Sequence, residues 1–188
     1  MQIWAGLGNP GGTYAMHRHN VGYMAVDAIA EVHGFAPLRK QFQGWTREGR
    51  IGAHKMLLLK PATFMNDSGR SVAEALRFYK VDLDALTVFH DELDLAAMRM
   101  KVKTGGGTAG HNGLRSIDQH LGTDFRRVRI GIGHPGHKDR VTGHVLGNYA
   151  KAEVDSLAEL LGALAAEATW LAAGDDVRFM NEVALRLQ

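Results

Sequence analysis

The stretch QIWAGLGNPGG, residues 2–12, places an apolar strand directly before a run of glycines. Residues 2–5 are predicted to form a buried strand, and the glycines let the following backbone turn tightly or approach a ligand closely. The glycine spacing also fits a dinucleotide-binding loop, but residues 13–22 lack the apolar periodicity of a helix. Since a pyrophosphate would need a helix N-terminus at that point, a Rossmann nucleotide site is not predicted.

Four more apolar or alternating runs are predicted to be strands, and amphipathic helices separate most of them. The further strands are predicted at residues 56–60, 86–89, 98–103 and 126–132. Helical periodicity covers residues 21–32, 72–79, 114–121 and 154–171, with Ser68 as the predicted N-cap of the second helix. This alternation predicts a single three-layer α/β/α domain over residues 1–188, built on a twisted, mixed and mostly parallel sheet, with the C-terminal helices of residues 151–188 as part of it.

The composition is that of an ordinary globular protein, with 45% hydrophobic and 22% charged residues. No apolar run reaches the roughly 20 residues that a membrane span needs, and the N-terminus does not resemble a secretory signal. The chain contains no cysteine, which excludes disulfides and thiolate metal sites. We therefore expect a cytoplasmic protein that does not associate with membranes.

Charge is distributed unevenly along the chain. The formal net charge is +2, but residues 151–188 contain three basic and seven acidic residues, which leaves a balance of +6 for residues 1–150. A basic body suits a phosphate-rich partner, because Lys and Arg side chains displace counterions from nucleic acid. Scattered solubilising charge explains the same numbers equally well, so charge alone leaves both interpretations open.

Four polar clusters carry imidazole, carboxylate or carboxamide groups close to the predicted strands. Ligand sites in α/β domains gather at the ends of strands, so these clusters are expected to converge if their strands are neighbours. The clusters are residues 14–22 with His19, residues 60–69 with Asn66, residues 90–94 with Asp91, and residues 111–113 with His111 and Asn112.

These residues allow several chemistries. No Gly-x-Ser-x-Gly sequence is present, so a serine nucleophile is not favoured. Candidate zinc ligands exist among the histidines and nearby carboxylates: His17, His19, His134, His137, Asp91 and Asp94. However, there is no His-Glu-x-x-His helix, and the carboxamides of Asn9, Asn66 and Asn112 bind metals poorly but suit a carbonyl or an oxyanion. We therefore predict a site without a metal or a cofactor.

The order of these motifs resembles that of bacterial peptidyl-tRNA hydrolases. GLGNPG at 6–11, Tyr14 and RHNVG at 18–22 are similar to the N-terminal motif of that family, and KP at 60–61, TFMN at 63–66 and SG at 68–69 are similar to its second motif. The remaining blocks are HDELDL at 90–95, GGG at 105–107, GHNGL at 110–114, Phe125, Arg127, RIGIG at 129–133 and Pro135. The resemblance covers residues 1–149. It departs from the family at AAM, residues 96–98, where a turn with proline and glycine is usual.

The resemblance implies hydrolysis of the ester between a peptide and the 3′-terminal ribose of its tRNA. His19 corresponds to the general base that activates water, and Asp91 to the carboxylate that orients and polarises its imidazole. The other correspondences are Asn9, Asn66 and Asn112 to amides that hold the peptide backbone and the attacked carbonyl, Tyr14 and Met65 to the tRNA-terminus and peptide side of the cleft, His111 to its flexible rim, and Lys103 and Arg129 to a clamp for the tRNA 5′ phosphate. Lys101, Arg126 and Arg127 lie near this clamp in sequence and could extend a basic surface, although a solvated strand face is the default interpretation.

We expect a monomeric enzyme that needs no cofactor and has peptidyl-tRNA as its partner. One alternative is an RNA-binding relative without activity. Five residues that occur together argue against it: His19, Asp91, Asn9, Asn66 and Asn112. The other alternative is a metal-dependent hydrolase of small esters, which exhaustive chelation would distinguish.

Overall fold

The computed structural model describes residues 1–188 and contains one seven-stranded sheet. Its strands are β1 (Gln2–Gly6), β2 (Arg39–Gln41), β3 (Gly44–Ile51), β4 (His54–Pro61), β5 (Leu86–Glu92), β6 (Met100–Thr104) and β7 (Arg126–Gly131). The sheet order is β2-β3-β4-β1-β5-β7-β6. The four central strands β4, β1, β5 and β7 are parallel, whereas β2, β3 and β6 run antiparallel to their neighbours. The predicted mixed sheet with a parallel centre is confirmed.

Helices cover both faces of this sheet. They are α1 (Val21–Val32), α2 (Ser68–Tyr79), α3 (Asn112–Leu121), α4 (Val141–Val145), α5 (Val154–Ala166), α6 (Ala168–Ala172) and α7 (Asp176–Arg186). Side chains alternate across β1, so that Trp4 packs with α1, α5 and α7 in one core while Ile3 and Ala5 pack with α2 and α3 in the other. The predicted three-layer α/β/α arrangement is therefore confirmed. A membrane crossing would need a longer and more apolar helix than any in this fold.

The structure corrects the sequence predictions in the outer parts of the sheet. Strands β2 and β3 were not predicted, because β3 (GWTREGRI) alternates between buried and solvent-facing positions and carries three charged residues. Strand β6 begins at Met100 rather than at residue 98, because Met98 has a positive φ of 65° in the turn before it. Because one face of β3 contacts solvent, every second residue can be polar, and the apolar signal of the strand in the sequence is weak.

Three helix predictions also change. The predicted helix over residues 154–171 is divided into α5 and α6 at Glu167, whose carboxylate is bonded to Trp170 and Arg186. Apolar periodicity continues across this break, so the sequence does not reveal it. Ser68 is not an N-cap, because its hydroxyl donates to the Met65 carbonyl and the capping position is Asp67. Helix α4 was not predicted, whereas α7 lies within residues 151–188, which were expected to be helical without separate bounds.

Close packing of α1 on the sheet brings the turn before α1 to the carboxyl ends of β1 and β5. A Cβ atom on Gly22 would overlap the backbone of Phe89 and Leu7, so only glycine allows this approach. The backbone N–H of Leu7 donates to the Phe89 carbonyl, and that of Tyr23 donates to the Leu7 carbonyl. His19 is thereby held above the end of β5.

Candidate active site

His19 and Asp91 form a buried pair. His19 lies in the 3₁₀ turn Arg18–Asn20 that leads into α1, and Asp91 is the penultimate residue of β5. Nδ1 of His19 lies 2.8 Å from Oδ2 of Asp91, and the two side chains are 11% and 3% exposed. Burial would raise the pKa of the Asp91 carboxyl, but His111 and His19 outweigh it and hold that pKa well below its usual range. Asp91 is therefore ionised at neutral pH.

His111 is a second imidazole on the same carboxylate. It is the N-cap of α3, and its Nδ1 accepts hydrogen bonds from the backbone N–H groups of Gly113 and Leu114 at 3.1 and 3.3 Å. Because an accepting nitrogen carries no proton, the proton of neutral His111 is on Nε2. That nitrogen lies 2.8 Å from Oδ1 of Asp91 and donates to it.

These contacts also fix the tautomer of the neutral His19 ring. Asp91 is an ionised acceptor, so Nδ1 of His19 carries the proton of the neutral ring and donates it to Oδ2. Nε2 of His19 is then left with a lone pair and makes no hydrogen bond within the protein. The ring lines a pocket of about 290 Å³ together with Asn112, Thr108 and His134. An unprotonated nitrogen facing a pocket is the arrangement that a general base needs.

The amide of Asn9 is oriented by its neighbours. Oδ1 of Asn9 accepts from the backbone N–H of Met65 at 2.8 Å, which identifies the other amide atom as the nitrogen. The backbone N–H and carbonyl of Asn9 are both bonded to the side chain of Asn20, the residue after His19. Nδ2 of Asn9 makes no hydrogen bond within the protein, so it is a fixed donor available to a ligand.

The other predicted cleft residues occupy different positions around this centre. Met65 is buried, and a Cβ atom on Gly113 would lie 2.6 Å from its sulfur, which explains glycine at the start of α3. Tyr14 packs edge-on against Phe64, with ring centroids 6.3 Å apart. Asn112, the first residue of α3, is exposed and lines the same pocket as His19. Asn66 is exposed in the turn Met65–Asp67 and does not line that pocket.

Lys103 and Arg129 lie on one face of the β6–β7 pair. Lys103 is opposite Arg127 and Lys101 is opposite Arg129, so Lys103 and Arg129 are diagonal neighbours. Diagonal residues in such a pair are about 7–8 Å apart at the backbone, so two long cationic side chains can reach the same ligand. Nε of Arg129 donates to Glu92 at 2.9 Å, which holds the guanidinium at the end of β5.

Two other arginines do not extend a basic surface, contrary to the sequence expectation. Arg126 points to the opposite face, where it pairs with Asp176 of the acidic C-terminal segment at 2.8 Å. Arg127 is fully buried and donates to the carbonyls of Gly107 and Thr123. Arg126 points to the opposite face because successive side chains of a strand alternate between the two faces of the sheet. Arg127 instead ties the glycine loop before α3 to the sheet. Lys101 is exposed on the same face as Lys103 and Arg129.

Sequence reasoning missed two residues of this centre. Asn20 orients Asn9, and its signals in the sequence were its place beside His19 and its position in the RHNVG motif. His90 is buried next to Asp91, where burial and then His111 lower its pKa to about 3. Nδ1 of His90 donates to the Asp91 carbonyl at 2.8 Å, and its ring packs edge-on against that of His111. A histidine inside a buried strand gave no sign of this contact.

The ligand atoms of His19, Asp91 and His111 lie within 4.8 Å of one another, so these three side chains could gather around a metal ion. They differ from the pairs His17/His19 and His134/His137 that the sequence suggested. Both imidazoles already satisfy Asp91 with N–H donors at hydrogen-bond distance. An N–H proton therefore accounts for each of the two short contacts to Asp91.

Comparisons with known proteins identify the family. The family model described as peptidyl-tRNA hydrolase matches residues 3–188. Curated peptidyl-tRNA hydrolases from Novosphingobium aromaticivorans and Erythrobacter litoralis are 73% and 70% identical over 188 residues, which cover the whole chain and 98% and 100% of those proteins. The crystal structure of peptidyl-tRNA hydrolase from Acinetobacter baumannii superposes with a TM-score of 0.91 at 41% identity, covering 97% of this chain and 94% of that one. The chain therefore belongs to the peptidyl-tRNA hydrolase family.

Proposed function

We propose that His19 is the general base of this enzyme, an ester hydrolase that acts on peptidyl-tRNA. The observation that carries the proposal is the pair of hydrogen bonds from His19 and His111 to Asp91, because together they leave Nε2 of His19 as an unprotonated nitrogen at the pocket. Nε2 takes a proton from water as the water oxygen attacks the ester carbonyl. The oxyanion then collapses, the bond to the ribose 3′ oxygen breaks, and His19 returns its proton to that oxygen.

Asp91 has two roles in this proposal. It orients His19 through the 2.8 Å contact, and its negative charge stabilises the imidazolium that forms during attack. His111 shares the carboxylate as a neutral donor, so Asp91 is fixed in position without losing its charge.

The carboxamides supply binding rather than proton transfer. Nδ2 of Asn9 is the fixed donor that we assign to the attacked carbonyl and its oxyanion, a contact that is strengthened as charge develops. Asn112 and Asn66 hold the peptide backbone from the exposed rim. Tyr14 and Met65 contact the tRNA terminus and the peptide at the turn that holds Asn9.

Lys103 and Arg129 bind the tRNA 5′ phosphate. Lys103 and Arg129 lie on β6 and β7, and neither lines the pocket that His19 lines, so they act on binding rather than on the chemical step. A terminal phosphate carries more charge than an internal one and favours such a pair. The Glu92 contact with Nε leaves the outer edge of Arg129 available.

The remaining parts of the proposal concern the protein as a whole. Residues 1–188 act as one catalytic domain and as a monomer, in the cytoplasm where ribosomes produce peptidyl-tRNA. The reaction needs no metal or cofactor, because an acyl ester is already activated and a base with an oxyanion donor lowers its barrier sufficiently.

Release of labelled peptide from purified peptidyl-tRNA tests the proposal. Asn9→Asp keeps an oxygen for the Met65 N–H but removes the donor, so it is expected to lower turnover by about 10²-fold or more. Exhaustive chelation is expected to leave the wild-type rate unchanged. A rate that chelation abolishes and added zinc restores would instead favour a metal held by His19, Asp91 and His111. An Asn9→Asp enzyme with normal turnover would remove Asn9 from the oxyanion site.

A further inference from the structure

A second hollow is lined by Asn9, which does not line the His19 pocket. It has a volume of about 300 Å³ and runs between α1 and the β3–β4 pair. We call it the Trp45 groove, and its lining includes Asn9, Gly11, Tyr23, Asp27, Trp45 and Lys60. Asn20 also lines this groove, whereas the preceding residue, His19, lines the other pocket. The turn that carries the base and orients Asn9 therefore borders both hollows.

The sheet order fixes the direction in which the groove leaves the site. Lys103 and Arg129 lie on β6 and β7, Asp91 lies on β5, Asn9 follows β1, and Lys60 and Trp45 lie on β4 and β3. These strands are neighbours in that order across the sheet. A substrate whose tRNA is held at β6 and β7 and whose ester lies between β5 and β1 has its peptide directed towards β4 and β3.

The floor of the groove is rigid and its charges are paired. Lys60 lies 3.0 Å from a carboxylate oxygen of Asp27 and 5.5 Å from the ring centroid of Tyr23. The Tyr23 hydroxyl is bonded to the Pro61 carbonyl, which fixes the ring. Because Asp27 balances Lys60, the groove lacks the excess positive charge that an RNA backbone requires.

Trp45 provides the wall of the groove. It is opposite Lys60 in the β3–β4 register, it is 40% exposed, and its indole N–H makes no hydrogen bond within the protein. A large exposed indole face gains free energy by covering apolar or aromatic groups without reading a particular sequence. This surface suits side chains that differ from one substrate to the next.

We propose that the Trp45 groove binds the peptide moiety of the substrate, upstream of its C-terminal residue. This inference rests on the proposed function, because it takes the position of the ester from His19 and Asn9. The separation of β1 from β3 is two strand spacings, about 10 Å in all, and an extended peptide advances about 3.3 Å per residue. Trp45 is therefore expected to contact the residue about three positions from the ester.

Two substrates that differ only in peptide length test the inference. Trp45→Ala should raise KM for a tetrapeptidyl-tRNA about threefold to tenfold more than it raises KM for an N-acetyl-aminoacyl-tRNA, with little change in the kcat ratio. Trp45→Phe should keep KM for the tetrapeptidyl-tRNA close to the wild-type value, since it keeps an aromatic face. Phe78→Ala, which removes an exposed aromatic side chain from α2 outside the groove, is the matched control and should leave the KM ratio unchanged.

The outcomes separate this inference from the proposed function. If Trp45→Ala changes KM for both substrates by the same factor, or for neither, the groove does not bind the peptide. If wild-type enzyme hydrolyses both substrates and His19→Ala does so equally well, the assignment of the base is wrong whatever Trp45→Ala does. A Phe78→Ala enzyme that shows the same length dependence as Trp45→Ala would also overturn the inference.

Discussion

Nε2 of His111 lies 2.8 Å from Oδ1 of Asp91, and the same histidine ring caps α3 through its Nδ1 atom. One side chain thus connects the Asp91 carboxylate to the start of a helix and to the glycine loop before it. Since Nδ1 must accept and Nε2 must donate, the neutral ring serves both contacts at once.

The two contacts of His111 can be separated by substitution. His111→Asn is expected to keep a capping acceptor while losing the bond to Asp91, whereas His111→Ala loses both. The alanine variant should therefore be less stable than the asparagine variant by about 1 kcal/mol. Turnover should fall by a similar factor in both, on the order of tenfold. Urea unfolding and peptide release measure the two effects, and equal stability of the two variants would contradict the capping role.

Asp91 and His19 are expected to act as a unit. Asp91→Asn keeps the shape of the side chain but removes the charge that stabilises the imidazolium, so turnover should fall, though less than in His19→Ala. The double variant should be little slower than His19→Ala alone, because the contribution of Asp91 requires His19. The measurement is the single-turnover rate of four enzymes: wild type, Asp91→Asn, His19→Ala and the double variant. Defects that simply multiply would argue against a shared role.

Much of the fold could be predicted because the central strands are buried on both faces. Residues 3–5 are apolar without interruption, residues 86–89 are interrupted only by Thr87, and both belong to observed strands in the parallel centre of the sheet. Strand β3 could not be predicted from apolar content, because one of its faces is in contact with solvent. The break at Glu167 depends on side-chain bonds to residues at positions 170 and 186, a tertiary effect that local periodicity does not contain.

The convergence of the polar clusters could be predicted from their places at strand ends, but their contacts could not. His19 and Asp91 are separated by 72 positions in the chain, and they meet because α1 packs closely on the end of β5. The rim residue His111 was expected from family resemblance, whereas its bond to Asp91 follows from the start of α3. The burial of Arg127 is a consequence of strand register and of the α3–β7 loop, neither of which is visible locally.

His90 should make the protein sensitive to acid. Burial lowers the pKa of His90 to about 3, whereas an unfolded chain has the ordinary value of 6.5. As the pH falls below 6.5, His90 binds a proton in the unfolded chain but not in the folded protein. The free energy of unfolding therefore decreases progressively down to about pH 3. The slope due to this group is on the order of 1 kcal/mol per pH unit.

His90→Gln removes the titrating group while keeping a polar side chain. Its free energy of unfolding, measured by urea titration between pH 6.5 and pH 4.5, is expected to depend on pH less steeply than that of wild type, by about one proton. His54, which is partly exposed at the opposite end of the sheet, provides the control His54→Gln, whose slope should match wild type. An unchanged slope in His90→Gln would contradict the account of this residue.

Lys103 and Arg129 are expected to affect binding of tRNA more than chemistry. Replacing both by glutamine should raise KM for peptidyl-tRNA and flatten its salt dependence, because two phosphate contacts are lost. Removal of the 5′ phosphate should then matter much less to this variant than to wild type. Arg50→Gln with Lys55→Gln, a cationic pair on β3 and β4, removes the same charge elsewhere and is the matched control. Equal losses on dephosphorylation in wild type and the Lys103/Arg129 variant would show that the pair does not bind this phosphate.

The central claim is that His19, held by Asp91, is the base that activates water. The most direct test is single-turnover hydrolysis of a purified peptidyl-tRNA by His19→Ala, with circular dichroism to show that the variant is folded. The rate is expected to fall by about 10²-fold or more, because the Nε2 lone pair at the pocket is lost. A folded His19→Ala enzyme that hydrolyses the substrate at a near-normal rate would contradict the account.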